Sequence, residues 1–434
     1  MNEPPHLIGS RARPFHGYRM VGVATLLLIA TAPGQTVVVS QFNNAISEDL
    51  GLSASALSTA YMIGTMTAAL PLVFVGKLSD RFGPRVMSGV IAVLFALACG
   101  AIGFAREAVS LTIGFFLLRF LGQGSLGLIS GHTLALWFER RLGTMNGIKL
   151  TLTQFGFAAI PALALGLVQS VGWQSAYALL GAGVALLVLP LAIFVARDHP
   201  EEVGQRLDGD PTHDAPVHEH GDESEELGPT KHRHIDPAFT LRQAIASPAY
   251  WILVLTVSLN GLIGTALIFH AQPMLEAGGL DPNQSASILR TWSFVVMLCI
   301  FPVGWLADRV SARALLPLSL ALLATSALLP TLIDSLLVMH LSMGAFGVSQ
   351  ALSVGVGNPA VARYFGRAHH GAIRSFVMLV GVAGTGLGPV VLGVSVDRTG
   401  AFDAGLYACV AMCVPVMLAA CALRRPVPPS HAQL

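Results

Sequence analysis

The sequence predicts an all-α membrane protein of twelve transmembrane helices, arranged as two pseudo-symmetric six-helix bundles. Three observations predict it. The 434 residues are 53% hydrophobic and only 11% charged, with a mean hydropathy of +0.67, a combination that soluble domains rarely show. Apolar runs near the ~20 residues needed to cross a bilayer alternate with short polar punctuation along most of the chain. A charged decapeptide between two such runs, GKLSDRFGPR at 76–85, returns as GWLADRVSAR at 304–313. Gly76, Leu78, Asp80, Arg81 and Arg85 recur as Gly304, Leu306, Asp308, Arg309 and Arg313, each 228 residues further on.

The first six runs are 18–42, 55–76, 86–105, 110–137, 145–170 and 173–196. Arg11, Arg13 and Arg19 precede the first, and no small-residue cleavage site follows it, so it reads as a retained span and not a signal peptide. Segment 197–248 holds 12 of the 24 acidic residues, five Lys/Arg and six histidines, with several prolines and glycines. Such a composition cannot bury a core, so a mostly disordered linker is expected. The second six runs are 249–275, 284–306, 314–332, 335–362, 371–394 and 402–423. The expected domains are a tail at 1–17, a bundle at 18–196, the linker at 197–248, a second bundle at 249–424 and a tail at 425–434.

Lys and Arg set the orientation. With the N-terminus in the cytoplasm, 21 of the 25 basic residues fall on the cytoplasmic side, Lys149 being taken with Arg140 and Arg141 after span 4. Arg106 and Arg398 fall outside, and Arg119 and Arg290 lie within spans. Both termini and the linker are therefore expected in the cytoplasm of a multi-pass protein of the plasma or inner membrane. The repeat also extends beyond the charged decapeptide. Phe138 and Arg140 match Phe365 and Arg367 at an offset of 227, and Gly143 and Pro161 match Gly371 and Pro389 at 228. Parallel repeats of this kind place a solute site near the midplane, between halves that rock against each other.

Several classes are excluded. A net charge of +1 carries no nucleic-acid signal. The five cysteines all fall in apolar runs without a CxxC, so they read as packing residues. GVAGTGLGPVVLG at 381–393 lacks the Lys-Ser/Thr ending of a phosphate loop and reads as close helix packing with a bend at Pro389. Linker histidines 218, 220, 232 and 234 have no folded frame to hold a metal. Neither a cofactor nor a metal nor a catalytic constellation is expected, so the chain is not expected to be an enzyme.

The twelve runs, the long middle linker and the G-x-L-x-D-R-x-G-x-R pattern of 76–85 resemble the major facilitator superfamily over about residues 18–424. GWLADRVSAR departs from that pattern by lacking the second glycine. WFERRLGTMNGIKLTLTQFG at 137–156 is similar to the span 4–5 boundary of monocarboxylate porters and oxalate/formate-type antiporters, through Phe138, Arg140, Arg141, Gly147 and Gly156. The resemblance implies a cytoplasmic gate built from Gly76, Asp80, Arg81, Gly83 and Arg85, with Asp308, Arg309 and Arg313 as the second copy. It further implies that Asp80 meets Arg140 and the start of span 11 near Gly371.

Charges inside a membrane are costly and mark function. None of the 24 acids lies deep in a span, whereas Arg119 and Arg290 do, so the substrate is expected to be anionic. At about 100° per residue, Gln123, Ser130 and Thr133 share the face of Arg119. A guanidinium can clamp a carboxylate through two parallel bonds. Arg290 resembles the span-8 arginine with which carboxylate carriers of the family hold substrate. Asn260, Gln350, Gln154 and the span-1 stripe with Ser40 are uncharged candidates for the same cavity. His270 and His132 are candidates for proton coupling. No acid precedes Arg290 at 286–289, where some proton-coupled porters carry one, which leaves anion exchange open beside proton symport.

The expected function is a secondary carrier of a small organic anion, such as a monocarboxylate, by proton symport or anion exchange. Its expected partners are the solute, protons and the lipid bilayer. Each chain holds both halves of a carrier, so a monomer is the expected working unit. An exporter of neutral or amphipathic compounds is the alternative, and a transport-inactive sensor or interaction protein is the alternative of another class.

Overall fold

The computed structural model describes residues 15–209, 239–332, 335–366 and 370–426. The end tails, residues 210–238 with the linker histidines, Arg367 and the side chain of Asp308 lie outside the described residues.

Twelve spans are present among the described residues. Ten stretches are long and apolar enough on their own to cross a membrane. One of them, 142–195, reverses at Gly172 (φ 78°, ψ 162°) and so makes two spans, 5 and 6. Span 2 completes the set. It starts as Ala54–Ala68, is interrupted at 69–71, and resumes in the helix Leu72–Ile102 as far as Gly83, where the chain turns back as span 3. The expected loop at 77–85 is thus almost entirely helical, with the reversal concentrated in one residue. Gly83 adopts φ 79° and ψ 151°, a conformation open essentially to glycine alone. A Cβ there would also strike the carboxylate of Asp198.

Spans 1, 4 and 7 are irregular where an ordinary span would be one straight helix. Span 1 runs as Gly17–Ile29, breaks through a tight turn at Ala32–Gly34, and continues as Thr36–Val39 and Asn43–Leu50. Pro33 supplies no amide hydrogen, so it weakens the helix where the break occurs. Span 4 is Ala108–Leu117 and Gly127–Ala135, joined by a widened π-turn at Leu118–Leu126. Span 7 is Pro248–Phe269 and Ala271–Ala277, parted at His270. Spans 8 to 12 are Ser285–Arg309, Ala312–Leu328, Leu336–Phe365, His370–Thr399 and Asp403–Cys421.

The segments flanking the undescribed part of the linker are folded. Asp208, buried and at φ 57°, accepts hydrogen bonds from the backbone N–H groups of Glu139, Arg140 and Arg141 at 3.2, 2.9 and 3.3 Å. Those are orphan donors at the start of span 5, where a carboxylate is favoured. On the other side, the N–H of Phe239 donates to the carbonyl of Phe365 at 3.2 Å, and the two rings meet edge to face at 5.3 Å. Phe15 packs the same way on Phe138, the repeat partner of Phe365, at 5.7 Å.

The halves meet mainly through spans 2 and 11 and spans 5 and 8. Hydrogen bonds joining described residues of the two halves lie at the end away from the charged decapeptides. Asn43 Nδ2 donates to the carbonyl of Phe269 at 2.6 Å, Ser285 Oγ to Gln41 Oε1 at 2.8 Å, and the N–H of Ser55 to Asp397 Oδ2 at 3.0 Å. That end is sealed.

The two glycines of GKLSDRFGPR respond differently to a side chain. A Cβ at Gly76 would meet nothing within 4 Å. Gly83→Ala is expected to cost about 1–3 kcal/mol through backbone strain, and Gly76→Ala almost nothing. Thermal unfolding of the purified protein in detergent checks both.

Candidate functional site

A cavity of about 180 Å³ lies between the halves. The N-terminal half contributes Gln35, Thr36, Val37, Arg119, Gln123 and Phe157. The C-terminal half contributes Asn260, Gly261, Gly264, Thr265, Ile268, Trp292, Phe346, Gln350 and Thr385. No carboxylate is among these described lining residues.

Arg119 is the one charge among them, 5% exposed. Two irregularities hold it there. The widened turn of span 4 carries it, and such turns recur at functional sites. The break in span 1 presents an unused carbonyl, and Arg119 Nη1 donates to that oxygen, Gly34 O, at 3.3 Å. Gly34 is needed for the approach, since a Cβ would collide with the carbonyl of Leu118. The guanidinium also lies 5.2 Å from the centroid of the Tyr61 ring, whose hydroxyl is 2.6 Å from Thr36 Oγ1. One carbonyl and one ring leave most of the five guanidinium N–H groups for a ligand.

Gln123, Asn260 and Gln350 join Arg119 in the cavity, and Gln154, Ser40 and Arg290 do not. Gln154 is half-buried, with its Oε1 lacking a hydrogen-bond partner among the described residues. Ser40 is buried in span 1, donating to the carbonyl of Val37 at 3.1 Å. Arg290 is a correction to expectation: it is exposed on the outside of the bundle. Its near neighbour Trp292, about 200° further round the helix, faces inward instead.

His270 lies in the seal. Its Nε2 is 2.9 Å from the carbonyl of Pro389 and 3.3 Å from Ser58 Oγ of the other half. Ser58 spends its own hydrogen on the carbonyl of Ala54 at 2.6 Å, so both neighbours accept and Nε2 carries the proton. His132 lies at the opposite end, with Nδ1 2.7 Å from Ser79 Oγ and Nε2 3.7 Å from Asp80 Oδ1. Asp80 is otherwise 75% exposed and faces His132, not Arg140.

The repeated decapeptide has a direct structural use. Arg85 donates from Nε to the carbonyl of Ala192 at 2.9 Å and from Nη2 to that of Ile193 at 2.8 Å. Arg313 donates from Nε to the carbonyl of Cys421 at 2.5 Å. Ile193 and Cys421 are themselves 228 residues apart. Each copy therefore closes the C-terminal end of the sixth helix of its own half, where orphan carbonyls and the helix dipole favour a cation. Arg81 stands 5.3 Å from the Phe82 ring and Arg309 3.8 Å from that of Trp305.

Lys149 is a residue that sequence reasoning misses. It is 4% exposed inside span 5, without a hydrogen-bond or ion-pair partner among the described residues. The helix begins at Leu142, three residues before the expected boundary, which carries Lys149 two turns into the membrane.

The profile of the Major Facilitator Superfamily matches residues 24–289 and 263–434, and the chain belongs to that family. It is 23% identical over 381 residues, 82% of each chain, to a probable sulfoacetate transporter, SauU, of Cupriavidus necator. It is 24% identical over 65% of each chain to the multidrug resistance protein MdtL of Vibrio parahaemolyticus. Among solved structures it resembles a bacterial homologue of the human lysosomal transporter Spinster, in an inward-facing and unoccupied conformation, with a TM-score of 0.69 at 17% identity over 96% of this chain and 97% of that one. It also resembles the nucleoside transporter NupG, with a TM-score of 0.68 at 12% identity over 94% of this chain and 98% of that one. The chain is thus a multi-pass secondary transporter with the major facilitator fold, not an enzyme.

Arg85→Met and Arg313→Met are each expected to lower stability by about 0.3–1 kcal/mol, the worth of an exposed cation at a helix end. Their effects should add in the double variant, because the two caps lie in different halves. Thermal unfolding of the three variants measures both expectations.

Proposed function

We propose that the protein carries a small organic anion across the membrane by alternating access, with Arg119 as the group that holds the anion. The observation that carries this reading is a buried guanidinium with no carboxylate among the described residues of its cavity. A buried charge is costly unless paired. The carbonyl of Gly34 and the face of Tyr61 offset part of that cost, and an anionic substrate supplies the rest. A cation would meet repulsion there. The name of the Cupriavidus relative, a probable sulfoacetate transporter, agrees with a small anion.

The charged decapeptides mark the cytoplasmic end, by the Lys/Arg asymmetry of the sequence. The seal through Asn43, Ser55 and His270 then closes the outer end, and release is towards the cytoplasm. Asp80 and His132, both at the cytoplasmic end, belong to the gate that must close in the opposite state. His270 is the proton-coupling candidate at the outer gate. Opening that end parts it from Ser58 and brings water to the ring, and resealing buries it again.

A second reading, export of neutral or amphipathic compounds, is favoured by the relative named as a multidrug resistance protein and by the aromatic wall of Phe157, Trp292 and Phe346.

Uptake of labelled pyruvate or lactate into proteoliposomes tests the anion reading. Saturable uptake is expected. Arg119→Gln should lower it roughly 10- to 100-fold, the worth of a charge-assisted bond. Arg290→Gln, on the exposed face, should leave it unchanged. Neutral-compound flux that survives Arg119→Gln, with no anion flux in the parent, would favour the second reading. His270→Asn is expected to abolish stimulation by an inward proton gradient while anion exchange persists. Gradient stimulation that survives His270→Asn would remove this residue from the coupling path.

A further inference from the structure

The C-terminal wall of the cavity is organised differently from the N-terminal wall. Trp292 Nε1 donates to Gln350 Oε1 at 2.9 Å. An indole N–H can only donate, so this contact fixes the orientation of the amide: its oxygen is spent. The Gln350 NH₂ has no hydrogen-bond partner among the described residues, and Gln350 lines the cavity. The lock is itself held in place. The Trp292 ring stacks on Phe346 at 6.1 Å and 10°, and Phe346 lies one helical turn before Gln350. Asn260 adds to the same wall. Its Nδ2 donates to the carbonyl of Thr256 at 3.4 Å and its Oδ1 accepts from Ser349 at 3.3 Å, which leaves one N–H. The C-terminal half therefore presents donors, as Arg119 does from the N-terminal half.

We infer that Gln350, held with its NH₂ towards the cavity by Trp292, selects anions that carry a second acceptor group at the end remote from the carboxylate. This rests on the anion reading and deepens it. The substrate class is a short carboxylate with a terminal hydroxyl, carbonyl or second acid group. The volume agrees: about 180 Å³ is roughly six times the ~30 Å³ share of a water molecule, room for a few-carbon acid. The energetics of alternating access agree as well. A ligand shifts a conformational equilibrium only through its different affinity for the two states. An acid held by Arg119 alone bonds one half in every state. An acid bonded at both ends favours the state in which both walls reach it, and so favours the closure that transport needs.

The test compares counterflow of propionate, 3-hydroxypropionate and malonate in proteoliposomes of the whole protein, with Gln350→Leu and Trp292→Phe as variants. The parent protein is expected to move the two-ended acids at least tenfold faster than propionate. Gln350→Leu should reduce them to the propionate rate, a loss of about 10- to 100-fold, without changing propionate itself. Trp292→Phe frees the amide to turn and should give a smaller loss of the same kind, which a merely structural role would not confine to two-ended acids. Equal rates for all three acids in the parent, or equal losses for all three in Gln350→Leu, would overturn the inference and leave the anion reading standing. No flux of any acid in the parent would overturn both.

Discussion

The bond from the Arg119 guanidinium to the carbonyl of Gly34 is the contact on which the centre of this protein depends. In hydrocarbon, a broken helix leaves polar backbone groups without water, and a cation leaves a charge without counter-charge. Each defect is tolerable here because it answers part of the other. The break at Ala32–Gly34 supplies an oxygen, and the widened turn at Leu118–Leu126 delivers a guanidinium to it. Neither would be expected to persist alone. Their meeting opens a polar space in an otherwise apolar bundle, and the opposite wall of that space is lined by the amides of Asn260 and Gln350.

Around this centre the two halves behave as units stapled from within and joined at one end. The staples are Arg85 on the end of span 6 and Arg313 on the end of span 12. The joint runs through Asn43, Ser55, Ser58 and His270, on spans that break or begin at that level. Hydrogen bonds inside each half fix its shape, whereas those across the joint are few and include exchangeable hydroxyl and amide partners. Such a division lets the joint part while the halves stay intact, as rocking of one repeat against the other requires.

Much of this was legible in the sequence, for definite reasons. Twelve apolar runs and a motif repeated at 228 residues specify the architecture, because span length and internal symmetry are direct consequences of crossing a bilayer twelve times with a duplicated unit. Arg119, Gln123, Asn260 and Gln350 were recognisable as cavity candidates because polar groups are rare in such spans. Rotational phase was not legible. Span 8 is apolar on most sides, so no stripe tells whether Arg290 or Trp292 faces inward. Lys149 was hidden by a helix that starts three residues early. The caps made by Arg85 and Arg313 were hidden too, since their partners are backbone carbonyls more than a hundred residues away and carry no signature of their own. Asp208 illustrates the limit for composition: it lies in an acidic segment that reads as unstructured, yet its carboxylate completes the start of span 5.

The placement of the staples bears on how the chain is made. Membrane helices are delivered in order, and span 6 is complete before span 7 emerges. Arg85 finds its partners, Ala192 and Ile193, wholly within that first delivery. Asp208 follows only a few residues later and closes the start of span 5. The N-terminal bundle thus possesses all of its own fastenings while the C-terminal bundle is still on the ribosome, and the newcomer docks against a finished surface.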